Sequence, residues 1–167
     1  MEPIDLIKTR RSIRKFKQVE ISDEHIGKIL DCAMHAPSAM NSQPWHFIVV
    51  KEKLEKIAEI HPYAQMAKDS SLAIIVCADP SLEYSKGKFP QDLSAATQNI
   101  LLAAHSFGLG AVWCAIYPDE KRQHDFRELF ELPNEIIPFS VIPMGLPDEK
   151  PVAEKRFKKE RIHYERW

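Results

Sequence analysis

Hydrophobic residues recur at helical spacing in five parts of the chain. The stretch after Ser22 has the clearest periodicity, with Ile26, Ile29 and Ala33 on one face, and Ser22 itself is suited to cap the first turn. Gly108 stands at the end of an alanine-rich stretch, where glycine commonly terminates a helix. The pattern predicts helices over residues 4–9, 22–34, 54–58, 92–107 and 119–132.

Apolar runs predict four strands, over residues 45–51, 72–78, 111–117 and 136–144. The second run is apolar throughout, which is typical of a strand buried on both faces. Pro143 lies in the last run, and because proline has no N–H to donate, it predicts the end of a strand or a sheet edge there. Two prolines and small polar residues predict an ordered loop over residues 36–44.

The order of these elements indicates the fold class. Helices dominate, and the strands do not alternate strictly with helices as they do in a βαβ fold. A length of 167 residues is typical of one domain, and no internal repeat is present. We therefore expect a single α+β sandwich.

The last part of the chain, about residues 146–167, mixes charged residues with apolar ones. Phe157, Ile162, Tyr164 and Trp167 make it too apolar for a solvated tail. We expect this C-terminal extension to pack on another surface, and a partner subunit is the natural candidate.

Composition narrows the classes of function. Hydrophobic residues make up 44% of the chain and charged residues 28%, which excludes disorder for most of its length. The net charge of −1 argues against a general binder of nucleic acid or of anionic membranes. No apolar run approaches the roughly 18 residues that span a bilayer, and the N-terminus lacks the pattern of a secretion signal. We expect a cytoplasmic protein without nucleic-acid or membrane partners.

The charge is concentrated in one short segment. Between Lys8 and Lys17 lie six cations and no acid. Such a run is commonly a solvated basic face, but here Ser12, Ile13 and Phe16 are interleaved with the cations, which favours a docked segment that presents several donors together. Arginine binds phosphate through its planar set of donors, so a discrete phosphate group is a better candidate ligand than a polyanion.

Several common chemistries lack their motifs. With five glycines the chain has neither of the glycine-rich phosphate loops, and its seven histidines form no zinc-binding pair. We expect no metal site. Cys32, Cys77 and Cys114 show no CxxC spacing, and their predicted positions in a helix and in apolar strands favour buried, unreactive thiols.

Several short motifs occur together in the order and spacing of a known family. A basic motif follows the first predicted helix, a proline-bearing loop precedes the first long strand, and a glycine-rich motif follows the alanine-rich helix that contains Gln98 and Asn99. From Ile4 to Trp167 the chain resembles the nitroreductase family of FMN-dependent oxidoreductases. The motifs are residues 10–16 (RRSIRKF), 36–45 (APSAMNSQPW), 108–113 (GLGAVW), 143–147 (PMGLP) and 155–156 (KR).

The resemblance implies a fold and an assembly. Members of this family have a central, mostly antiparallel sheet flanked by helices and form intertwined homodimers with two FMN molecules at the subunit interface. The C-terminal extension would then embrace the partner subunit.

The resemblance also implies a set of flavin-binding residues. The basic motif would reach the phosphate, the ribityl chain and the pyrimidine edge, and the proline-bearing loop would contact the flavin bound mainly by the other subunit, with Gln43 nearby. Trp113 and Cys114 would line the flavin through their backbone, although a core position for the Trp113 side chain is equally open. Lys155 or Arg156 would add to the phosphate site, while Gln65 and Lys68 stay unassigned. The implied set is Arg10, Arg11, Ser12, Arg14, Pro37, Ser38, Ala39, Asn41, Trp113, Cys114, Lys155 and Arg156.

The implied activity is an FMN-dependent NAD(P)H oxidoreductase. Flavin N5 would accept a hydride from NADH or NADPH and pass it, in a ping-pong scheme, to a small aromatic acceptor such as a nitroaromatic, a quinone or a flavin. Because this chemistry belongs to the cofactor, no catalytic residue is named.

Two alternatives stay open. The same scaffold would also serve flavin storage, flavin modification or reductive dehalogenation. The second alternative is a dimer without enzymatic activity, which would bind a phosphorylated metabolite at the basic segment.

Overall fold

Strand β3 (Leu72–Ala78) is the centre of the fold, and all seven of its residues are buried, as its apolar sequence predicts. It pairs antiparallel with β2 (Trp45–Val50) on one side and with β6 (Ile137–Pro147) on the other. Three short strands also pair antiparallel with β6: β1 (Phe16–Lys17), β4 (Gly110–Ala111) and β5 (Cys114–Ala115).

The computed structural model describes residues 2–152 and 154–167. The α-helices in the described ranges are α1 (Pro3–Thr9), α2 (Asp23–Met34), α3 (Leu54–Ile60), α4 (Phe89–Ser106) and α5 (Glu120–Phe130). Short 3₁₀ turns occur at Ala39–Asn41, Gln65–Asp69 and Lys159–Arg161.

Alternate residues of β3 belong to two separate hydrophobic cores. Ile74 and Val76 pack in one core with residues of α2 and α4, and Ile75 packs in the other with residues of α3 and α5. Full burial of such side chains contributes roughly 1.5–3 kcal/mol each. The antiparallel sheet between two helical layers confirms the predicted α+β class.

The helix termini follow the capping pattern of the sequence. Ser22 Oγ accepts a hydrogen bond from the His25 N–H at 3.2 Å, and Asp119 Oδ1 accepts one from the Arg122 N–H at 2.9 Å. Gly108 follows α4 with a φ of 74°, the left-handed region that glycine occupies without strain. Helix α4 begins at Phe89, three residues before the predicted start, because Pro90 fits the first helical turn.

The prediction for residues 111–117 was wrong, because this stretch forms two short strands, β4 and β5, with Val112 and Trp113 between them. The prediction that Pro143 ends a strand or lies at an edge was also wrong, since β6 continues through it to Pro147 and is paired on both sides. The Pro143 carbonyl accepts from the Val112 N–H at 3.3 Å. Because the N–H and C=O of a strand residue point to one side, the missing donor of Pro143 falls in the gap between β4 and β5, where it costs little.

The end of the chain lies on the surface. Leu146 and Pro147, which the sequence assigned to the C-terminal extension, belong to β6 and pair with Lys17 and Phe16. Beyond Glu149, every described residue is exposed, and Trp167 is fully so.

Within the described ranges, no helix is both long and apolar enough to cross a membrane.

Candidate functional site

The basic segment lies along β4. Ser12 forms a parallel bridge with Ala111, and the Ile13 N–H donates to the Ala111 carbonyl at 3.1 Å. Ile13 is buried against Gly110, where an added Cβ would lie 2.7 Å from the Ile13 Cβ. Glycine is therefore required at position 110 for the segment to approach the sheet this closely.

The segment after β6 holds the other side of the basic segment. The Glu149 carboxylate accepts the backbone N–H of both Arg14 and Lys15, the second at 3.1 Å. The Asp148 N–H donates to the Lys15 carbonyl at 2.9 Å. These contacts use the backbone, so the Arg14 and Lys15 side chains stay exposed.

A cavity of about 660 Å³ lies beside this segment and is lined by Arg10, Arg11 and His105. We call it the basic cavity. The Arg11 Nη1 donates to the carbonyls of Lys8 and Arg10 at 2.8 and 2.7 Å, which fixes the guanidinium. Its Nε is buried without a hydrogen-bond partner among the described residues. A buried charged donor without a partner is costly, so the site is suited to an anion.

The cations around the basic cavity repel one another. The pKa of Arg10 is lowered by burial, by Arg156 and by Arg11, in that order. Arg156 of the C-terminal extension therefore lies close enough to act on Arg10, although both Arg156 and its neighbour Lys155 are exposed. Like charges gathered at a half-buried site stabilise a bound anion such as a phosphate group.

A second cavity, of about 460 Å³, is lined by Arg14, Trp113 and Cys114 together with Tyr63. We call it the tryptophan cavity. The Trp113 ring is half-buried and packs against Phe139 at a centroid distance of 5.9 Å, so Trp113 belongs to both the core and the cavity wall. Arg14, Trp113 and Cys114, all in the set that the resemblance implies, thus lie at one cavity.

Cys114 carries an unreactive thiol. Its Sγ donates to the Tyr63 carbonyl at 3.3 Å, and burial raises its pKa to about 11. Burial also raises the pKa of the Cys77 thiol to about 12. Both agree with the predicted inert thiols, but Cys32 is exposed, so the prediction was wrong for that residue. It lies in α2 outside the apolar stripe of Ile26, Ile29 and Ala33.

His61 lies in the wall of the tryptophan cavity and is fully buried. Its Nδ1 accepts the Tyr63 N–H at 3.2 Å, so Nε2 carries the proton that is donated to the Ala115 carbonyl at 3.0 Å. Burial is the main cause that lowers its pKa, with a smaller contribution from the nearby Arg122 charge. Both ring nitrogens are committed, so His61 supports the local backbone and does not transfer protons.

The backbone of the proline-bearing loop is held by hydrogen bonds within the loop and from α4. Ser38 Oγ accepts the Gln43 N–H at 3.0 Å, and the Ala39 N–H donates to Asp92 Oδ1 at 3.1 Å. Three non-glycine residues of this loop have positive φ: Met40, Asn41 and Gln43. Positive φ at such residues is strained and persists only where the surroundings enforce it.

The structure thus divides the implied residues into three places. Arg10 and Arg11 line the basic cavity. Arg14, Trp113 and Cys114 line the tryptophan cavity. Ser12 lies in the chain between Arg11 and Arg14 and so between the two cavities. Residues 37–41 line neither cavity.

Sequence reasoning missed several residues at the two cavities. His105 and Glu149 in the basic cavity, and His61 and Arg122 in the tryptophan cavity, carry no motif that would have identified them. Tyr63 and Gln65, the second of which the resemblance leaves unassigned, also line the tryptophan cavity. Among residues 2–152 and 154–167, no cluster of three or more His, Cys, Asp or Glu side chains is arranged to hold a metal ion.

Comparisons with known proteins agree with this architecture. The model of the nitroreductase family matches residues 7–78 and 81–146. A protein of Methanothermobacter thermautotrophicus, provisionally named an NADH dehydrogenase/NAD(P)H nitroreductase, is 56% identical over 169 residues that cover 100% of this chain and 88% of that protein.

Two solved structures are similar over almost the whole chain. One, from Parabacteroides distasonis and under the same provisional name, has a TM-score of 0.93 at 40% identity and covers 98% of each chain. The other, a provisionally named nitroreductase from Desulfovibrio desulfuricans in complex with FMN, has a TM-score of 0.86 at 28% identity and covers 100% of this chain and 99% of that chain. The match of the family model to most of the sequence, with a relative as similar as the Methanothermobacter protein, shows that the chain belongs to the nitroreductase family.

Proposed function

We propose that the protein is an FMN-dependent NAD(P)H oxidoreductase that reduces flat, electron-poor acceptors such as nitroaromatics, quinones or flavins. The observation that carries the proposal is the basic cavity, which is lined by Arg10 and Arg11 and has Arg156 nearby. The acid in its wall, Glu149, is bonded to backbone N–H groups of the basic segment. The similar Desulfovibrio structure is a complex with FMN, whose phosphate is an anion of the required kind.

The basic cavity fits the phosphate end of FMN. Arg10 and the buried, unpartnered Nε of Arg11 would donate to phosphate oxygens, and Arg156 or its neighbour Lys155 would add charge from the C-terminal extension. Ser12, next in the chain and bridged to Ala111, would lie beside the ribityl chain.

The tryptophan cavity fits the ring end. Arg14 follows two residues after Ser12 in the same segment and lines this cavity. Its charge near the pyrimidine edge would stabilise negative charge on a reduced flavin. The backbone of Trp113 and Cys114 would form the inner wall. When bound, FMN supplies reversible hydride acceptance at its N5 position, from NADH or NADPH and then to the acceptor.

The residues of this chain would bind and orient the cofactor and would not transfer protons. His61 is neutral and both its nitrogens are committed, and the Cys114 thiol stays protonated because its pKa is raised. We therefore name no catalytic residue.

We further propose that the site is completed in a homodimer. The loop residues Pro37, Ser38, Ala39 and Asn41 line neither cavity of their own chain, so they would contact the flavin held by the other subunit. Strand β2 is an edge strand of the sheet. Apolar side chains are exposed on α1 and along the C-terminal extension. A free sheet edge and exposed apolar side chains are both typical of a surface that pairs with another chain.

Replacement of Arg10 and Arg14 by alanine tests the site. Each change removes a charge-assisted hydrogen bond worth about 1.5–3 kcal/mol, so the Kd for FMN should rise by roughly tenfold to a hundredfold for each variant. Lys15→Ala is the matched control, because this cation belongs to the same segment, its side chain is exposed and it lines neither cavity. Equal FMN affinity in all three variants would contradict the site assignment.

A further inference from the structure

His105, in the last turn of α4, lies in the wall of the basic cavity. No motif of the sequence includes it. Its Nε2 lies 2.9 Å from Thr9 Oγ1, and Thr9 also lines the cavity.

The hydrogen bonds of Thr9 fix which nitrogen of neutral His105 carries the proton. Thr9 Oγ1 lies 2.6 Å from the Asp5 carbonyl, which can only accept, so the single hydroxyl hydrogen is used there. Oγ1 must then accept from His105, which makes Nε2 the protonated nitrogen. The unprotonated Nδ1 is the atom of His105 that can take up a proton.

The charges that face His105 are mainly positive. Arg10 and Arg11 lie on the basic segment, Lys150 follows β6, and Arg156 approaches Arg10 from the C-terminal extension. The acid in the cavity wall, Glu149, is committed to the N–H groups of Arg14 and Lys15. Burial, then Arg10, then Arg11 lower the pKa of His105 below its ordinary value of 6.5, so the imidazole is neutral at pH 7 when no anion is bound.

We propose that His105 is a further phosphate-site residue, which takes up a proton at Nδ1 when a phosphomonoester enters the basic cavity and adds its positive charge to those of Arg10 and Arg11. A dianion beside the imidazole outweighs the repulsion from the arginines and favours the charged form. Binding of the anion is therefore coupled to uptake of a proton. That the phosphomonoester is FMN rests on the proposed function.

The sign of the pH dependence follows from this coupling. The pKa of His105 is higher in the complex than in the free protein, so the extra affinity is fully present below the free pKa and is lost as the pH rises through the pKa of the complex. Each unit of difference between the two pKa values corresponds to a tenfold gain in affinity at low pH.

Calorimetric titration of the FMN-free, full-length chain with FMN measures the coupled proton directly. The titration is run at pH 7.0 in two buffers that differ in ionisation enthalpy, and inorganic phosphate is left out. We expect uptake of about 0.3–1 proton per site, because the free imidazole is unprotonated there and most of the FMN phosphate, with a pKa near 6, already is a dianion.

His105→Gln is the test variant, since the glutamine amide keeps a donor for Thr9 and cannot bind a proton. We expect the proton uptake of this variant to fall below about 0.1 per site. The Kd of the variant for FMN, divided by that of the wild type, should be about threefold or more at pH 6 and approach one at pH 9. The phosphate titrates equally in both proteins, so it cancels from this ratio. His124→Gln, an exposed histidine on α5, is the control and should bind FMN and protons as the wild type does.

A second measurement uses inorganic phosphate alone and does not depend on FMN. The pKa of the His105 imidazole, followed by NMR, should rise in 20–50 mM phosphate (about ten times a weak Kd) relative to chloride at equal ionic strength. An unchanged pKa, or equal proton uptake in the wild type and His105→Gln, would overturn the role of His105. Failure of FMN to bind while inorganic phosphate still raises this pKa would contradict the proposed function and leave the anion site intact.

Discussion

Gly110 and Ile13 approach each other so closely that a Cβ on the glycine would lie 2.7 Å from the Cβ of the isoleucine. Ile13 stands between Ser12 and Arg14, and its N–H is bonded to Ala111. The absence of a side chain at position 110 therefore sets the position of the basic segment relative to both cavities.

Gly110→Ala should push Ile13 from its place, because the neighbouring atoms belong to a buried side chain next to the backbone. We expect a loss of about 1–3 kcal/mol in the free energy of unfolding, the range for overpacked cores, and a weaker affinity for FMN. Denaturant unfolding and FMN titration measure the two effects. Gly27→Ala is the control: its Cβ would have no atom within 4 Å, and alanine should stabilise α2 by about 0.5–1 kcal/mol. Equal stability of the two alanine variants would contradict this account.

Glu149→Ala should weaken FMN binding although its carboxylate is bonded to backbone rather than to the ligand. The change removes the acceptor of the Arg14 and Lys15 N–H groups, which are exposed and are then solvated by water. The expected loss is therefore the net value of a hydrogen bond, about 0.5–1.5 kcal/mol. Glu149→Gln keeps an acceptor oxygen and should retain most of the affinity. An FMN Kd for Glu149→Ala within twofold of the wild type would show that the basic segment holds its position without this contact.

Asp92→Ala should loosen the proline-bearing loop, because Ala39 loses the acceptor of its N–H and the loop contains three strained residues. We expect a higher Kd for FMN, measured by fluorescence titration, with a loss of stability of about 1–3 kcal/mol. Thr97→Val is the matched control, because Thr97 lies in the same helix as Asp92 but its buried hydrogen bond goes to Ser140 in β6 and not to the loop. A similar rise of the FMN Kd in both variants would mean that general destabilisation of α4, and not the loop, is responsible.

The three cysteines should differ in reactivity. Cys32 is exposed, while burial raises the pKa of Cys114 to about 11 and that of Cys77 to about 12. At pH 8 a thiol reagent should modify Cys32 first and reach the other two only as the protein unfolds, because the thiolate is the reactive form. Mass spectrometry of the partly labelled native protein identifies the modified residue. Early labelling of Cys114 would contradict the described packing of the tryptophan cavity.

The periodicity of the sequence predicted the helices and the central strands because burial imposes it directly. The apolar run of β3 and the stripe of Ile26, Ile29 and Ala33 in α2 each reflect a face that packs in the core. The interruption between β4 and β5 at Val112 and Trp113 cannot be seen in the hydrophobic pattern, because both residues are apolar and would be apolar in a continuous strand as well. The prediction of a strand end or a sheet edge at Pro143 failed for a related reason. The effect of a proline in a strand depends on which neighbouring strand faces its missing N–H, and that is a property of the sheet and not of the local sequence.

The candidate site was predictable only where it lies in one stretch of chain. The run from Arg10 to Arg14 is visible in the sequence as a cluster of positive charge within a motif. His105 lies 91 to 95 positions farther along the chain and reaches the same site only because α4 packs against α1. Asp92 and Glu149 act on backbone groups of distant segments, and the hydrogen bonds that define those roles exist only in the folded chain.

The central claim is that this chain holds FMN as a redox cofactor, and the visible absorbance spectrum of the freshly purified protein tests it most directly. The spectrum is recorded again after anaerobic addition of NADPH and, separately, of NADH. We predict flavin bands, present on purification or after addition of FMN, that bleach with at least one of the two nucleotides. Absence of flavin bands after added FMN, together with no rise in thermal stability, would contradict the claim.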